Sequence, residues 1–327
     1  MDIANAPNGA EREANGRLTG RIWREDRWIG QQSDAPALDL AGLGSELAGY
    51  GLTALTDAGP RNGTREAATL GKAHATGALP QRLMLMGEED LPACDHYALG
   101  PLKLMIDERD PPHLEALASR IVAARCRYRA VAAHCVTATE LALYLAALDA
   151  ADGARAGDRI EHGGIISQPA LHAIAATLLT VVTNPVFIHD RGERYRETIP
   201  SDARPDLYRA ASLLAAGVPL AAGSDAPYAA ADPWRGMRAA RDRLTAAGYP
   251  LALGERLPAL ATLQLYLGDA NHPGRPRRIA VGEPADIVLC EGSAQDVLAD
   301  LTAERVAAKM VGGRIVFSRG AATSTLR

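Results

Sequence analysis

The chain has 327 residues, of which 47% are hydrophobic, and it can bury a large core in one barrel with an appendage or in two domains. Its net charge of -4 and its scattered basic residues argue against a nucleic-acid partner. No apolar run reaches the ~18 residues that span a bilayer, and the polar N-terminus lacks the apolar segment of a signal peptide. These features predict a cytoplasmic protein with no membrane partner.

Predicted strands and helices alternate along most of the chain. Residues 1–35 are turn-rich and without periodicity, so an irregular segment is predicted there. Apolar spacing then predicts helices at 38–49, 64–76, 112–126, 137–151, 168–176, 207–216 and 233–246. Strands are predicted at 52–57, 81–86, 99–106, 130–134, 159–162, 178–183 and 218–224. Thr137 and Glu140 have the spacing of a capping box at one helix start.

The alternation predicts an α/β fold, a (β/α)8-type TIM barrel with helices outside a parallel sheet. The predicted strands number seven, one fewer than the eight of a closed barrel. From about residue 273 the pattern changes to short strands with a Gly-Gly hairpin signal. We therefore predict an irregular segment over 1–35, an incomplete barrel over 36–272, and a small β appendage over 273–327.

Four of the apolar runs end in, or shortly before, a residue that can bind a metal ion. These residues are Lys103, His134, His162 and Asp225, the last within Gly-Ser-Asp-Ala-Pro at 223–227. Because successive parallel strands of a barrel place their carboxyl ends at one face, these side chains are expected to converge.

The chain resembles the amidohydrolase superfamily, in particular its amidohydrolase-3 branch, from about residue 16 to the C-terminus. Six motifs in the family's order carry this resemblance, which makes it specific. They are Tyr-Gly-Leu-Thr-Ala-Leu-Thr-Asp at 50–57, Gly-Pro-Leu-Lys at 100–103, His134 with Thr-Ala-Thr-Glu at 137–140, Arg-Ile-Glu-His at 159–162, Gly-Ser-Asp-Ala-Pro at 223–227 with Asp-Pro-Trp at 232–234, and Val-Gly-Glu-Pro-Ala-Asp-Ile-Val at 281–288.

The resemblance implies a metal site that holds Zn²⁺, as one or two divalent ions. In the family, a His-x-His pair, an often carboxylated lysine, two histidines and an aspartate are the ligands. By resemblance, Lys103, His134, His162 and Asp225 take the last four roles, and Asp225 is also the catalytic base that deprotonates water. No two of the eight histidines are separated by one residue, so the His-x-His pair has no match. The chain thus resembles a family member without its N-terminal third. The resemblance implies that the first barrel strand is missing and that the C-terminal strands are part of a β-sandwich.

Each of these residues also has an ordinary structural interpretation. Asp225 can cap the loop that follows it, and an isolated histidine is often a satisfied core or loop residue. Lys103 can extend to solvent or pair with Asp107. Glu161 is expected to point away from His162, because neighbouring residues of a strand alternate between faces.

The polar segment at 184–195 is expected to be a loop that contacts a small-molecule substrate. His189, Arg191, Arg194 and Tyr195 are the candidates for binding a carboxylate or carbonyl, although a solvated charged loop is the other interpretation. The predicted function is metal-dependent hydrolysis of a carbon-nitrogen bond, other than a peptide bond, in a small amide-like substrate. The alternatives are an inactive or truncated barrel with a binding or regulatory role, and a barrel completed by a partner chain or second copy, which leaves a homo-oligomer open.

Overall fold

A computed structural model describes residues 6–23, 25–31 and 38–320 of the chain. The chain divides into two compact units, Met1–Asp39 and Leu40–Arg327. None of the helices in the described ranges is both long and apolar enough to cross a membrane.

The N-terminal unit contains a β-hairpin where an irregular segment was expected. Strands β1 (Ala10–Arg12) and β2 (Leu18–Ile22) pair antiparallel, and helix α1 (Asp26–Gln31) follows. Gly16 has a φ of 84°, and the Asn15 side chain accepts a hydrogen bond from the Arg17 amide at 2.9 Å. Asn-Gly is a favoured hairpin turn. The strands have only 3 and 5 residues, too few for their periodicity to be read from the sequence.

The larger unit is built on a seven-stranded parallel sheet whose strands follow sequence order. All of the strands predicted for the barrel are confirmed. They are β3 (Ala54–Asp57), β4 (Arg82–Gly87), β5 (Ala98–Leu104), β6 (Val131–Cys135), β7 (Arg159–His162), β8 (Thr180–Thr183) and β9 (Leu220–Ala222).

The helices of this unit include both predicted and unpredicted members. The predicted ones are α2 (Leu40–Gly49), α3 (Thr64–Ala75), α4 (Leu114–Cys126), α5 (Ala138–Ala150), α6 (Gln168–Ala175), α9 (Ala211–Ala215) and α10 (Pro233–Asp242). The unpredicted ones are α7 (Val186–Asp190), α8 (Gly192–Thr198), α11 (Ala259–Gln264) and α12 (Ala294–Asp300). The capping box of α5 is confirmed, because the Glu140 amide donates to Thr137 Oγ1 at 3.2 Å and the Thr137 amide donates to Glu140 Oε2 at 3.0 Å.

Because α7 and α8 cover most of the segment at 184–195, this segment is mostly helical and not the expected loop.

Alternation along the strands divides their side chains between two faces. Leu102, Ala133 and Ile160 are fully buried in the core that also contains residues of α4, α5 and α6. Their strand neighbours Lys103 and Glu161 have the opposite parity and belong to the inner face of the sheet. The helices thus cover the outer face, and polar groups collect on the inner one.

The sheet is a curled half-barrel, since within the described residues β3 and β9 each pair with only one neighbouring strand. A closed barrel has no such edges. Part of the β9 edge is capped, because the Ala222 amide donates to the Leu265 carbonyl at 2.9 Å. Across the described ranges the architecture is of the TIM-barrel type, with seven parallel strands where a full barrel has eight.

A small antiparallel sheet at the C-terminus confirms the predicted β appendage. It consists of β10 (Ile287–Cys290), β11 (Val306–Val311) and β12 (Arg314–Ser318), with Gly312 and Gly313 at positive φ in the last turn. Arg82 of β4 pairs with Asp286 at 2.7 Å, which links this sheet to the barrel.

Lys309 of β11 is buried, at 1% exposure, and its amine donates to the Leu52 carbonyl at 2.8 Å. Burial disfavours its charged form and lowers its pKa from 10.5 to about 8. Between these two values the unfolded chain binds more protons at this lysine, so the residue makes stability rise with pH. We expect Lys309→Met to remove that rise.

Urea unfolding from about pH 7.5 to 10 compares the variant with the wild type, and Lys72→Met at an exposed lysine is the matched control. The free energy of unfolding should increase with pH more steeply in the wild type and the control than in Lys309→Met. If the free energy of unfolding changed with pH in the same way in all three proteins, the lowered pKa of the Lys309 amine would be contradicted.

Candidate active site at the carboxyl ends of the strands

The structure gathers Lys103, His134, His162 and Asp225 at the carboxyl end of the half-barrel. The His134 and His162 rings meet edge to face with their centroids 4.6 Å apart. Asp225 Oδ2 lies 4.0 Å from His162 Nδ1, and Lys103 lies within electrostatic range of Asp225. Residues from four separate segments therefore form one cluster.

The backbone at His162 and Asp225 explains how both reach this cluster. His162 is aligned with Cys135, whose side chain is buried in the core under the helices. In a regular strand His162 would face the same way. Its φ is 73° and that of Asp225 is 57°, values that cost residues other than glycine about 1–3 kcal/mol. Such strain persists where surrounding contacts hold it, and it concentrates at functional sites.

Asn184, at the end of β8, fixes the tautomer of His162. Asn184 Nδ2 donates to the Gly223 carbonyl at 2.8 Å, so its Oδ1 is the atom that faces His162 Nδ1 at 2.8 Å. His162 must therefore donate from Nδ1, which leaves the lone pair on Nε2. Burial, helped by the charges of His134 and Lys103, lowers the pKa of His162 well below its usual range. The ring is neutral, as a metal ligand requires.

Lys103 is only 5% exposed, so it does not extend to solvent. Burial lowers its pKa, an effect that the negative charges of Glu161 and Asp225 partly offset. Within the described residues its amine forms no hydrogen bond or ion pair, including with Asp107. A lysine in this setting gives up its proton more readily than one at the surface.

Asp225 is half-buried, and burial raises its pKa to about 6 although the charges of Lys103 and Arg191 act in the opposite direction. Its carboxylate accepts no hydrogen bond from the described backbone. The loop that follows is capped instead by Ser224, whose Oγ accepts from the Ala226 amide at 3.3 Å. The Asp225 carboxylate is thus available to act as a base near neutral pH.

Glu161 and Asn184 belong to this cluster although the sequence interpretation did not assign them to it. Glu161 was expected to point away from His162, yet its charge acts on both Lys103 and Asp225. Its Oε1 is buried and has no hydrogen-bond partner in the described part of the chain. The alternation of strand residues places Glu161 on the same face as Lys103, and this pattern could have predicted that Glu161 belongs to the cluster. Asn184 directly follows a predicted strand, and this position could have predicted its place in the cluster.

Two of the four proposed substrate residues lie toward Asp225. The Arg191 guanidinium lies 4.4 Å from the Phe187 ring centroid and donates to the Tyr228 carbonyl at 2.9 Å. Its charge acts on Asp225. Tyr195 is within electrostatic range of Asp225, and its hydroxyl lies 3.0 Å from that of Tyr208.

The other two proposed substrate residues are not brought into the cluster. His189 Nδ1 lies 2.9 Å from Asp190 and 3.3 Å from Arg235, so this ring is part of an ion-pair group between α7 and α10. Arg194 is exposed on α8.

The donors fit zinc in kind, because two imidazoles and a carboxylate are its usual ligands in proteins. They are not arranged as a closed metal site, since among the described residues no three His, Cys, Asp or Glu side chains form a group that could hold a metal ion. His134 Nε2 also lies 4.0 Å from Glu140 Oε2. The cluster is thus an open set of donors.

Comparisons with known proteins agree with this fold. The family model described as "Amidohydrolase family" matches residues 4–317. An uncharacterized metal-dependent hydrolase from Pyrococcus furiosus superposes with a TM-score of 0.63 at 17% identity, over 81% of this chain and 62% of that one. A Xaa-Pro dipeptidase with bound methionine superposes with a TM-score of 0.58 at 15% identity, over 95% of this chain and 84% of that one. An adenosine deaminase from Xanthomonas campestris with bound zinc superposes with a TM-score of 0.50 at 19% identity, over 85% of this chain and 64% of that one.

At these identities the structural likeness shows the fold alone. The chain spans about three fifths of the length of the Pyrococcus furiosus protein, at 62%. No curated protein matches the sequence.

Proposed function

Since the chain belongs to the amidohydrolase family, we propose that it is a metal-dependent hydrolase that cleaves a carbon-nitrogen bond, other than a peptide bond, in a small amide-like molecule. One observation carries this proposal, the convergence of Lys103, His134, His162 and Asp225 at the carboxyl ends of the strands. In barrels of this type catalytic residues lie at that end.

His134, His162 and Asp225 are the residues that would hold a zinc ion, with Lys103 beside them. When bound, zinc polarises a carbonyl and lowers the pKa of water. Asn184 orients His162 so that Nε2 faces away from the amide hydrogen bond. The neutral state of His162 and the lowered pKa of Lys103 both favour metal binding over protonation.

In the proposed reaction Asp225 accepts the proton of the attacking water and passes it to the leaving nitrogen. In the metal-free chain its pKa is near 6, so it is ionised at neutral pH, yet more basic than an exposed aspartate. Arg191 and Tyr195 lie on the same side and supply a positive charge and a hydroxyl for a substrate carbonyl or carboxylate. We also propose His189 and Arg194 as substrate-binding residues. Both lie outside the cluster, so their contact with a substrate requires that α7 and α8 rearrange when it binds.

A second candidate is a non-catalytic member of the family that binds a ligand, or that is completed by a partner chain or a second copy. The observation that favours it is the open donor set, in which no three described donors form a metal-holding group. The edge of β3 is also unpaired within the described residues, and it could pair with an added strand.

Zinc content per chain separates the two candidates. We expect the protein, purified without chelator, to contain about one zinc ion per chain. His134→Ala should lose it, and His113→Ala, at an exposed histidine at the start of α4, should keep it. Zinc-dependent turnover in a screen of amides, formamides and cyclic imides would then support hydrolysis. A chain that takes up no zinc when it is added back and turns over no substrate would overturn the proposal.

A further inference from the structure

A second polar cluster lies at the other end of the sheet from the candidate active site. A cavity of about 230 Å³ opens where β5, β6 and β7 begin, beside Gly100, Ala130 and Gly157. Three arginines line it, Arg127, Arg129 and Arg159, together with Asn271, and no carboxylate side chain does. This site uses none of the proposed metal or substrate residues.

Arg159 is the most buried of the three arginines, at 3% exposure. Its Nη2 donates to the Ala270 carbonyl, while its Nε is buried with no hydrogen-bond partner among the described residues. It forms no ion pair with any residue that the structure describes. The charges of Glu161 and, to a smaller extent, Asp269 attract it, but neither carboxylate lies within ion-pair distance, and the Asp269 carboxylate already accepts from the amides of Asn271 and His272. A buried guanidinium left in this state is costly unless an anion compensates it.

Arg129 is 8% exposed and is held in place by backbone alone. It donates to the carbonyls of Gly87, Glu88, Gly100 and Pro101. These bonds fix the position of the guanidinium, and the charge of Glu89 attracts it without forming an ion pair with it. Arg127, at the exposed rim, donates to the Glu89 carbonyl at 2.9 Å and likewise has no carboxylate partner within the described chain.

We propose that this cavity binds a small multivalent oxyanion, either inorganic phosphate or the phosphate group of a small monoester. Around this one cavity lie three guanidinium groups that have no carboxylate in contact among the described residues, and an anion with more than the single charge of a carboxylate suits them best. The free donors of Arg159 and Arg127 suit phosphate, because the guanidinium fork matches adjacent phosphate oxygens. Arg129 is a fixed charge at the same cavity, and the volume admits the anion with a few further atoms.

Calorimetric titration of the full chain with sodium phosphate, at constant ionic strength, tests the proposal. We expect saturable binding of one phosphate per chain, weakened about tenfold by Arg127→Gln. Arg256→Gln is the matched control, because Arg256 is also exposed and also donates to a single backbone carbonyl, that of Leu253. It should bind as the wild type does. Arg159→Met, where it folds, should bind no phosphate.

A parallel titration with glycerol phosphate distinguishes the two sources of the group. Tighter binding of the ester identifies a phosphorylated metabolite class, and tighter binding of phosphate identifies the free ion. The absence of saturable binding for both, or binding that Arg127→Gln and Arg159→Met leave unchanged, would overturn the proposal. A protein that binds no zinc can still show this binding, so the result is independent of the proposed hydrolysis.

Discussion

Asp225→Asn is expected to lower the rate of zinc-dependent hydrolysis by about a thousandfold, which lies within the range for loss of a general acid-base group. The substitution keeps the size of the side chain and removes the charge that accepts the proton. It also weakens one proposed zinc ligand, so turnover should be measured at saturating zinc. The rate constant per zinc-loaded chain then reports on proton transfer.

The same substitution should stabilise the metal-free protein. Burial raises the pKa of Asp225 from 3.8 to about 6, so between these values the folded state binds more protons than the unfolded state. The contribution of Asp225 to stability is present below about pH 4 and is lost as the pH rises through about 6. An asparagine does not titrate, so above that pH the chelated variant should melt at a higher temperature than the chelated wild type.

Asp202→Asn, at an exposed aspartate between α8 and α9, is the matched control for both measurements. It should leave turnover and melting temperature unchanged. If Asp225→Asn turned over substrate at the wild-type rate, Asp225 would not be the residue that transfers the proton. Equal melting temperatures of chelated wild type and variant from about pH 5 to 8 would show that the folded protein does not disfavour this charge.

Asn184→Leu is expected to weaken zinc binding by about 10–100-fold, the usual effect of removing the group that orients a metal-binding histidine. The leucine has similar volume but can neither accept from His162 Nδ1 nor donate to the Gly223 carbonyl. His162 would then lose its fixed tautomer, and the loop that carries Asp225 would keep the bond from the Gly223 amide to the Thr183 carbonyl but lose the one from Asn184.

Asn184→Asp separates these two effects. An aspartate still accepts the proton of His162 Nδ1 but cannot donate to Gly223. We expect its zinc affinity, measured by competition with a chromophoric chelator, to fall less than that of Asn184→Leu. Wild-type affinity in the leucine variant would mean that Asn184 supports the loop and does not orient a metal ligand.

Much of the fold was predictable because the strands are continuous apolar runs separated by amphipathic helices. Strand β7 was predicted with its observed bounds, Arg159–His162, and the capping box at Thr137 was readable from the spacing of two residues. Helices α7 and α8 were missed because 5 and 7 residues are too few to show a helical period. The signal for α12 was a capping box at Ser293 and Asp296 that was not recognised.

Sequence patterns were enough to predict the α/β class, the order of the strands, and the position of Lys103, His134, His162 and Asp225 near strand ends. These features follow from local periodicity and from residue type, which do not depend on distant parts of the chain.

What those residues face depends on how the segments pack together in the folded chain. The positive φ of His162 turns its ring out of strand alternation, and Asn184 joins β7, β8 and the loop after β9 through two hydrogen bonds. The pKa values of Lys103 and Asp225 are set by burial, which depends on packing between segments far apart in sequence. The arginine cavity arises in the same way, because the segment that carries Arg127 and Arg129 meets Arg159 only when β6 and β7 pair.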